Sequence, residues 1–582
     1  HFPYNLRLAD RCYRSWINGG DPFALLAFEK PLAAIKEGMA RGGFFEDFIR
    51  KHLIDNKHKL LMVVTASAEK GKKLEAQSEE QAARLTKGFT GEDRLRCVEL
   101  TKALREQQSA PPTPEALASL PVLTKGDLPR EGKKAPFEKG AAGGVPLITH
   151  PIFTSGIAYL DVGFDFNGVE GGLIPFIPLY LELLTRCGAG GFSYEQMAKR
   201  VSLSTGGIDA SVACKTKLGT PDELFFMAFI HGKALEPRFG EMLGILEDLL
   251  VRPDLTNKKL IKDLLLEERN SLNSSIIHSG HSFAITNAAA RLSKSRMVDE
   301  ALGGVSQLRF LDAVVKKEDY GLAVESCVKL HDFLINRKAC VVSMTAGDPS
   351  KFVKPLEAFT GNLPVKVGAA VDGVSVINKD KAITDCQTTR YRSIEINSAV
   401  NFSARVWKLP GLSAAENGRL FLLSRNLSTG YLWDKIRVEG GAYGGMSGMS
   451  IGHPIFSCAS YRDPNLESTL EHFVAGLREA ASLIPAGRVD QSIIGAIGRI
   501  DQPKTPHSLG LSETMDILTG CSEEYRQELR DAVLNAAPAD LKRAAEQVLA
   551  SKESAVTVLG SSAAIDRAVG AGIAFEREKL IQ

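Results

Sequence analysis

The segment Trp-Asp-Lys-Ile-Arg-Val-Glu-Gly-Gly-Ala-Tyr-Gly-Gly, residues 433–445, gathers groups suited to a polarised carbonyl. Arg437 offers a rigid fork of N–H donors. Tyr443 offers one phenolic O–H. Gly440, Gly441 and Gly444, with Ala442 between them, let a substrate backbone approach closely. Donors of this kind stabilise a developing oxyanion. A second reading stays open at this point: Arg437 closes a helix end and Tyr443 packs.

Other chemistry is thinner. No G-x-S-x-G elbow, Walker A loop or G-x-G-x-x-G opening a βα unit occurs. Among 11 His there is neither H-x-x-E-H nor H-E-x-x-H. The one close pair, His278 and His281, has i,i+3 spacing, with Glu267 and Glu268 upstream. Gly280 interrupts it and no third ligand has a defined spacing, so a polar break between packed helices is expected rather than a metal site. Nine scattered Cys, an odd number with no C-x-x-C, read as small core residues in a reducing compartment.

These residues need elements to hold them. Lys59–Ala66 reads as a strand. Residues 69–108 read as two antiparallel helices with a narrow apolar stripe (Leu74, Leu85, Leu95, Val98, Leu104) around a turn at 87–93, with Thr90 and Asp93 capping the second. A coiled-coil oligomerisation arm is the alternative. Ser109–Pro114 is a Pro-rich linker. From Gly156 the pattern becomes a half-buried strand, then helices, Gly206-Gly207, two strands, more helices and a strand at 338–346. The same order returns: a strand at 397–407, helices 414–428 and 430–437, Gly440-Gly441, strands 442–450 and 455–461, a helix over 464–483 capped by Asp463 with Pro464 at its first position, and a strand at 555–559. Leu183–Arg186 with Gly206–Asp209 aligns with Leu422–Arg425 and Gly440–Tyr443, so the chain contains an internal repeat. Three segments resemble closing strands, but only two opening halves are present. The expectation is that a first unit has lost its front, and that His1 is an interior point of a longer protein.

The 582 residues predict several domains. Lys+Arg 71 against Asp+Glu 69 argues against a nucleic-acid binder. With 44% hydrophobic and 24% charged residues the composition is that of a folded globular chain. No stretch is long enough to span a bilayer; Leu173–Leu184 is the nearest and contains Pro175, Pro178 and Glu182. No membrane partner and a bacterial cytoplasmic location are expected.

The segments WINGGDPF (16–23), the 69–108 helices with PEAL (114–117), TGGI (205–208), SGHS (279–282), RVEGGAYGG (437–445) and SYRDPN (460–465) resemble the C-terminal half of the presequence protease branch of the pitrilysin/insulinase metallopeptidases. The likeness runs over essentially the whole chain, and the last two segments are the most specific. It implies an α+β fold: two homologous pitrilysin-type domains, each a sheet flanked by helices, at 131–360 and 361–582. Before them come a helical hairpin linker at 69–130 and the tail of a preceding domain at 1–68. It also implies zinc held through H-x-x-E-H in an N-terminal half, with no metal ligated by this chain. Arg437 and Tyr443 match the two residues that reach the active site from the distal half. Gly440, Gly441, Ala442 and Gly444 match the substrate-binding turn. The implied partners are the N-terminal zinc-binding half and unstructured peptides, which are degraded inside a closed chamber. This chain alone is then inactive. The alternative is a separate non-catalytic subunit that binds peptides or holds a processing-peptidase-like complex together.

Overall fold

The computed structural model describes residues 4–65, 67–109, 113–366, 390–482 and 484–580. Cys386 and residues 110–112 of the expected linker lie outside them. The chain divides into two units, residues 2–123 and 124–582.

The regular elements described within 2–123 are helices: α1 (Tyr4–Trp16), α2 (Glu29–Ala40), α3 (Phe44–Ile49), α4 (Ala68–Thr86), α5 (Gly91–Ser109) and α6 (Pro114–Ala118). The cap expected at Thr90 is formed. The Thr90 amide and hydroxyl donate to Asp93, and the Asp93 amide donates to Thr90 Oγ1 at 3.2 Å. Two expectations fail. Lys59–Thr65 is not a strand, and Leu60 to Val64 are 71–89% exposed. A strand exists only by pairing, and no other strand is described in this unit. The stripe of α4 and α5 is likewise not buried: Leu74, Leu85, Leu95, Val98 and Leu104 are all more than half exposed.

Among the described residues, 124–582 hold two sheets of six strands each and a short two-stranded pairing of Gly188–Ala189 with Pro253–Asp254. The first contains β1 (Glu138–Ala142), β2 (Val145–Pro151), β3 (Ile157–Asp165), β4 (Ile208–Lys217), β5 (Thr220–Leu235) and β6 (Cys340–Ala346), in the order β1-β2-β6-β3-β5-β4. The second contains β7 (Arg390–Glu395), β8 (Phe402–Lys408), β9 (Gly444–Ser450), β10 (Ile455–Tyr461), β11 (Ser554–Gly560) and β12 (Glu576–Lys579), in the order β9-β10-β8-β11-β7-β12. The repeat is therefore topological. β6 runs antiparallel to β3 and parallel to β2, and β11 does the same between β8 and β7. β6 and β11 are each inserted at the centre of their sheet, and each is buried at every position.

The helices of each repeat are set by local signals, and all but α10 and α18 lie on the side of their own sheet. In the first repeat these are α7 (Ile177–Arg186), α8 (Tyr194–Ser204), α9 (Phe239–Val251), α10 (Lys258–Ala289), α11 (Lys294–Gly303), α12 (Val305–Lys317), α13 (Tyr320–Leu334) and α14 (Val353–Asn362). The second has α15 (Ala414–Thr429), α16 (Glu467–Ala480), α17 (Ala486–Ile500), α18 (Pro506–Thr519), α19 (Glu523–Leu534) and α20 (Pro538–Leu549). Ser193 with Gln196, and Ser413 with Glu416, form reciprocal caps that start α8 and α15. The apolar cores lie between each sheet and its own helices.

The opposite faces are covered by exchange. α10 of the first repeat lies on β8, β10 and β11, and α18 of the second lies on β2, β4 and β6. This corrects the half-buried reading of β3. Ala158 to Phe164 are buried on one face as expected, but Asp161 and Gly163 on the other are buried too. Sequence alternation cannot announce a cover supplied from hundreds of residues away.

Candidate functional site

The site is built on the join between α15 and β9. Residues 430–437, expected as an α-helix, form instead a π-helical turn over Trp433–Glu439. Such wide turns recur at functional sites. The turn ends as the Gly441 amide donates to Arg437 O (3.0 Å) and the Ala442 amide to Ile436 O (3.1 Å). Gly441 sits at φ +76°, a conformation costly for any residue with a Cβ. A Cβ on Gly440 would stand 2.6 Å from Ile436 O. The Gly-Gly pair therefore fits the chain through a tight reversal into β9, which begins at Gly444 rather than at 442.

On the other side of the turn lies Ser460–Asn465. Asp463 does not cap a helix at 464. It is buried, and its carboxylate accepts from the Asn465 amide (2.9 Å) and Thr469 Oγ1 (2.7 Å), so α16 begins three residues later, at Glu467. Burial pushes the Asp463 carboxyl above its usual range, against these hydrogen bonds. Asn465 Nδ2 donates to Gly440 O (2.7 Å), tying this loop to the Gly-Gly turn. The strand expected from 397 begins at Phe402. Residue 401 reaches Asp463 instead, through Asn401 N to Asp463 O at 2.8 Å.

Arg437 and Tyr443 emerge together on this scaffold. Both are exposed, Tyr443 at 65%. The Arg437 guanidinium carbon lies 4.2 Å from the Trp433 ring centre and 5.6 Å from that of Tyr443. These contacts orient the guanidinium through the ring faces while leaving its N–H fork open. No carboxylate pairs with Arg437 among the described residues, whereas neighbouring Lys435 is held by Glu439 at 2.7 Å. The Tyr443 ring meets Tyr461 edge to face at 5.6 Å, and its amide donates to Tyr461 O at 3.1 Å. Its hydroxyl has no hydrogen-bond partner among the described residues. An unpaired cation and an unpaired phenol side by side can hold one oxygen anion.

The remaining predicted residues serve the turn. Gly440 O, Gly441 N and Ala442 N are engaged within the chain, and Ala442 is buried. Gly444 pairs with Tyr461. β9 is an edge strand, but Ser428 of α15 occupies part of that edge, accepting from Ser447 N (2.9 Å) and donating to Ser447 O (3.2 Å). Sequence reasoning assigned no role to Trp433, Tyr461, Arg462 or Asn465. Arg462, at φ +49°, is one of few non-glycine residues in that region. The SYRDPN segment already carried three of the four.

His278 and His281 are kept apart from any such chemistry. α10 kinks at Ser279 (φ −134°, ψ 25°). His278 Nδ1 faces Ser274 O at 3.0 Å, while the His281 ring lies edge-on to Tyr461 at 5.0 Å. Burial lowers the His281 pKa. Gly280 is packed so tightly that a Cβ would meet the Phe402 ring at 2.5 Å. Five of the described Cys are buried, as the sequence reading expects; burial pushes Cys187, Cys327, Cys340 and Cys458 up to about 12. Among the described residues no helix is long and apolar enough to cross a membrane.

Residues 64–314 match the family described as peptidase M16, subgroup C, associated, and residues 394–561 match the PreP C-terminal domain family. The chain is 28% identical to presequence protease 1, chloroplastic/mitochondrial, of Arabidopsis thaliana over 97% of its own length and 52% of that protein. It is 27% identical to protein HypA of Clostridium perfringens (96% and 56%) and 26% identical to the mitochondrial presequence protease of Danio rerio (91% and 53%). It spans about half the length of these relatives. Among solved structures, a protease from Helicobacter pylori superposes with TM-score 0.54 at 14% identity, covering 74% of this chain and all of that one. A peptidase M16 inactive domain from Pseudomonas fluorescens gives 0.53 at 12% identity, covering 73% and 98%. These two share the fold.

Proposed function

We propose a function from one premise: the chain is presequence protease-like and carries the two family segments of a C-terminal half. In this reading it is the non-zinc half of a zinc-dependent oligopeptidase. Catalytic zinc does not fit this chain, because neither H-x-x-E-H nor H-E-x-x-H occurs in it; the hydrolytic centre belongs to an N-terminal half. The contribution of this chain is a pair of donors. Arg437 and Tyr443 take the carbonyl oxygen of an unstructured peptide as it gains charge. Both residues stand outside the core of their own domain, and each has an unengaged donor. Gly440, Gly441, Ala442 and Gly444 fix the reversal that aims them. When the two halves close around a peptide in a chamber, water is excluded and the donors strengthen. That couples capture of substrate to chemistry.

The observation that carries this reading is the exposed, carboxylate-free Arg437 stacked between Trp433 and Tyr443. The experiment is steady-state hydrolysis of an unstructured peptide by the two-half enzyme. Arg437→Ala is expected to lower kcat/KM by about 10²-fold, with Arg437→Lys recovering only part because an ammonium lacks the planar fork. Unchanged kcat/KM in Arg437→Ala would remove the residue from the mechanism. The missing zinc motif also favours a second reading, a separate non-catalytic subunit that binds peptides. That subunit would leave hydrolysis by its partner insensitive to both residues.

A further inference from the structure

The face of the first sheet beneath α18 carries a row of polar residues set by strand register. Asp161 on β3 is directly opposite His231 on β5 and Ser343 on β6, and His231 is opposite Asp209 on β4. Direct antiparallel partners point to the same face. The second repeat adds His507 from above. Thr505 caps α18, accepting from the Ser508 amide at 3.2 Å, and Pro506 holds its first position, which fixes His507 in the first turn.

Three side chains from three elements converge there. His231 Nδ1 lies 2.6 Å and His507 Nε2 lies 2.8 Å from the same Asp161 Oδ1. The donor atoms of all three lie within 4.8 Å of one another. Asp161 is 0% exposed, yet its Oδ2 has no hydrogen-bond partner. An orphaned carboxylate oxygen in a buried site is costly, and it points to a missing electrophile. The outer groups suit a ligand set. His231 Nε2 lies 2.7 Å from Ser211 Oγ, which can accept its N–H and so leave Nδ1 free to bind an ion. Tyr159 stacks on the His507 ring at 5.0 Å and 7° and fixes its plane. Asp209 adds a second carboxylate to the row, while Lys233, further along that face, is exposed.

We propose that Asp161, His231 and His507 hold a divalent transition-metal cation of the zinc type, which fastens α18 of the second repeat to the sheet of the first. Two imidazoles and a carboxylate are a common set for such ions. Tetrahedral zinc would place its donor atoms roughly 3.3 Å apart, so the two His–Asp161 distances of 2.6 and 2.8 Å have to lengthen by about 0.5 to 0.7 Å. The partly exposed His507 and exposed Ser211 give the ion a way in. The site is separate from the Arg437 and Tyr443 pair and does not rest on their role.

The test uses the intact chain, stripped with a chelator and dialysed against zinc chloride, with metal content and thermal melting measured together. One zinc per chain is expected, with a rise in Tm over the stripped form. His507→Ala, at the open side of the cluster, should melt as the stripped wild type does and show neither the zinc nor the rise. Ser211→Ala should weaken binding by about 10- to 100-fold, and a His278→Ala, His281→Ala double variant should bind as wild type. Cobalt(II) in place of zinc should give no thiolate band. The proposal is overturned if the stripped chain takes up no stoichiometric zinc, if zinc survives both His507→Ala and Asp161→Asn, or if the cobalt spectrum shows thiolate ligation.

Discussion

The two exchanged helices make the same topological contact with a different balance of apolar and polar groups. α10 meets the second sheet through a mainly apolar seam, in which Ile276, Phe283, Ala284, Ala288 and Ala289 pack on Phe402, Ala404, Val406 and Ala459, with one buried hydrogen bond from Thr557 Oγ1 to Asn287 Oδ1 (3.1 Å). Gly280 is pressed on the Phe402 ring. α18 meets the first sheet both with Leu511 and Met515, which cluster with Phe225, Met227 and Phe229, and with His507 and Thr514, which contact its polar residues. A duplicated scaffold thus keeps where helices dock but not what glues them. Apolar packing is tolerant of pH and ions. A buried polar row is strong only when every member is satisfied.

The contrast can be broken most severely at Phe402, which is fully buried. Phe402→Ala should cost about 3–5 kcal/mol in urea unfolding, and a loss below about 1 kcal/mol would mean that the seam is not tightly packed. The next effect concerns acid. His453 links the β9–β10 turn to α11 through Ser295 Oγ at 2.7 Å. Burial, with Arg296 and Lys215 nearby, lowers its pKa to about 3, although Asp299 lies 4.0 Å away. Burial prevails, since Ser295 rather than Asp299 makes the short contact. A folded pKa below the unfolded value of about 6.5 means that the unfolded chain takes up the proton first. The stability contributed above pH 6.5 is therefore lost as pH falls, by about 2 kcal/mol at pH 5. His453→Gln should remove that share of the acid slope, and an unaltered slope would contradict the assignment.

A smaller loss is expected at the polar row. Thr514 Oγ1 lies 2.8 Å from Nε2 of the fully buried His150 and 2.9 Å from Ser343 Oγ. Thr514→Val leaves both without that partner and should cost about 1.5 kcal/mol, read in the same unfolding assay. The smallest effect lies outside this comparison, on α5. Val98 is 64% exposed, so Val98→Lys should shift the stability of the chain by less than about 0.5 kcal/mol.

What the sequence revealed follows from how local each signal is. The Thr90–Asp93 cap was legible three residues at a time, and the strands at 157–165 and 455–461 were legible as elements, though not the burial of both their faces. The Arg437 to Tyr443 stretch stood out because its residue types cluster in the chain itself. Asp463 misled because an Asp before Pro reads as a cap, while its carboxylate is engaged by Asn465 and Thr469. Leu60–Val64 misled because a run of apolar residues does not supply a partner strand. Asp161 and His507 are 346 residues apart, and no spacing rule joins them. Only the docking of α18 does.

The central claim is that this chain contributes a guanidinium and a phenol to a hydrolytic centre it does not contain. Its most direct test is the turnover of the two-half enzyme carrying Tyr443→Phe, with kcat and KM measured separately on an unstructured peptide. Loss of an oxyanion donor predicts a fall in kcat of about 10²-fold with KM nearly unchanged. A wild-type kcat would contradict the account.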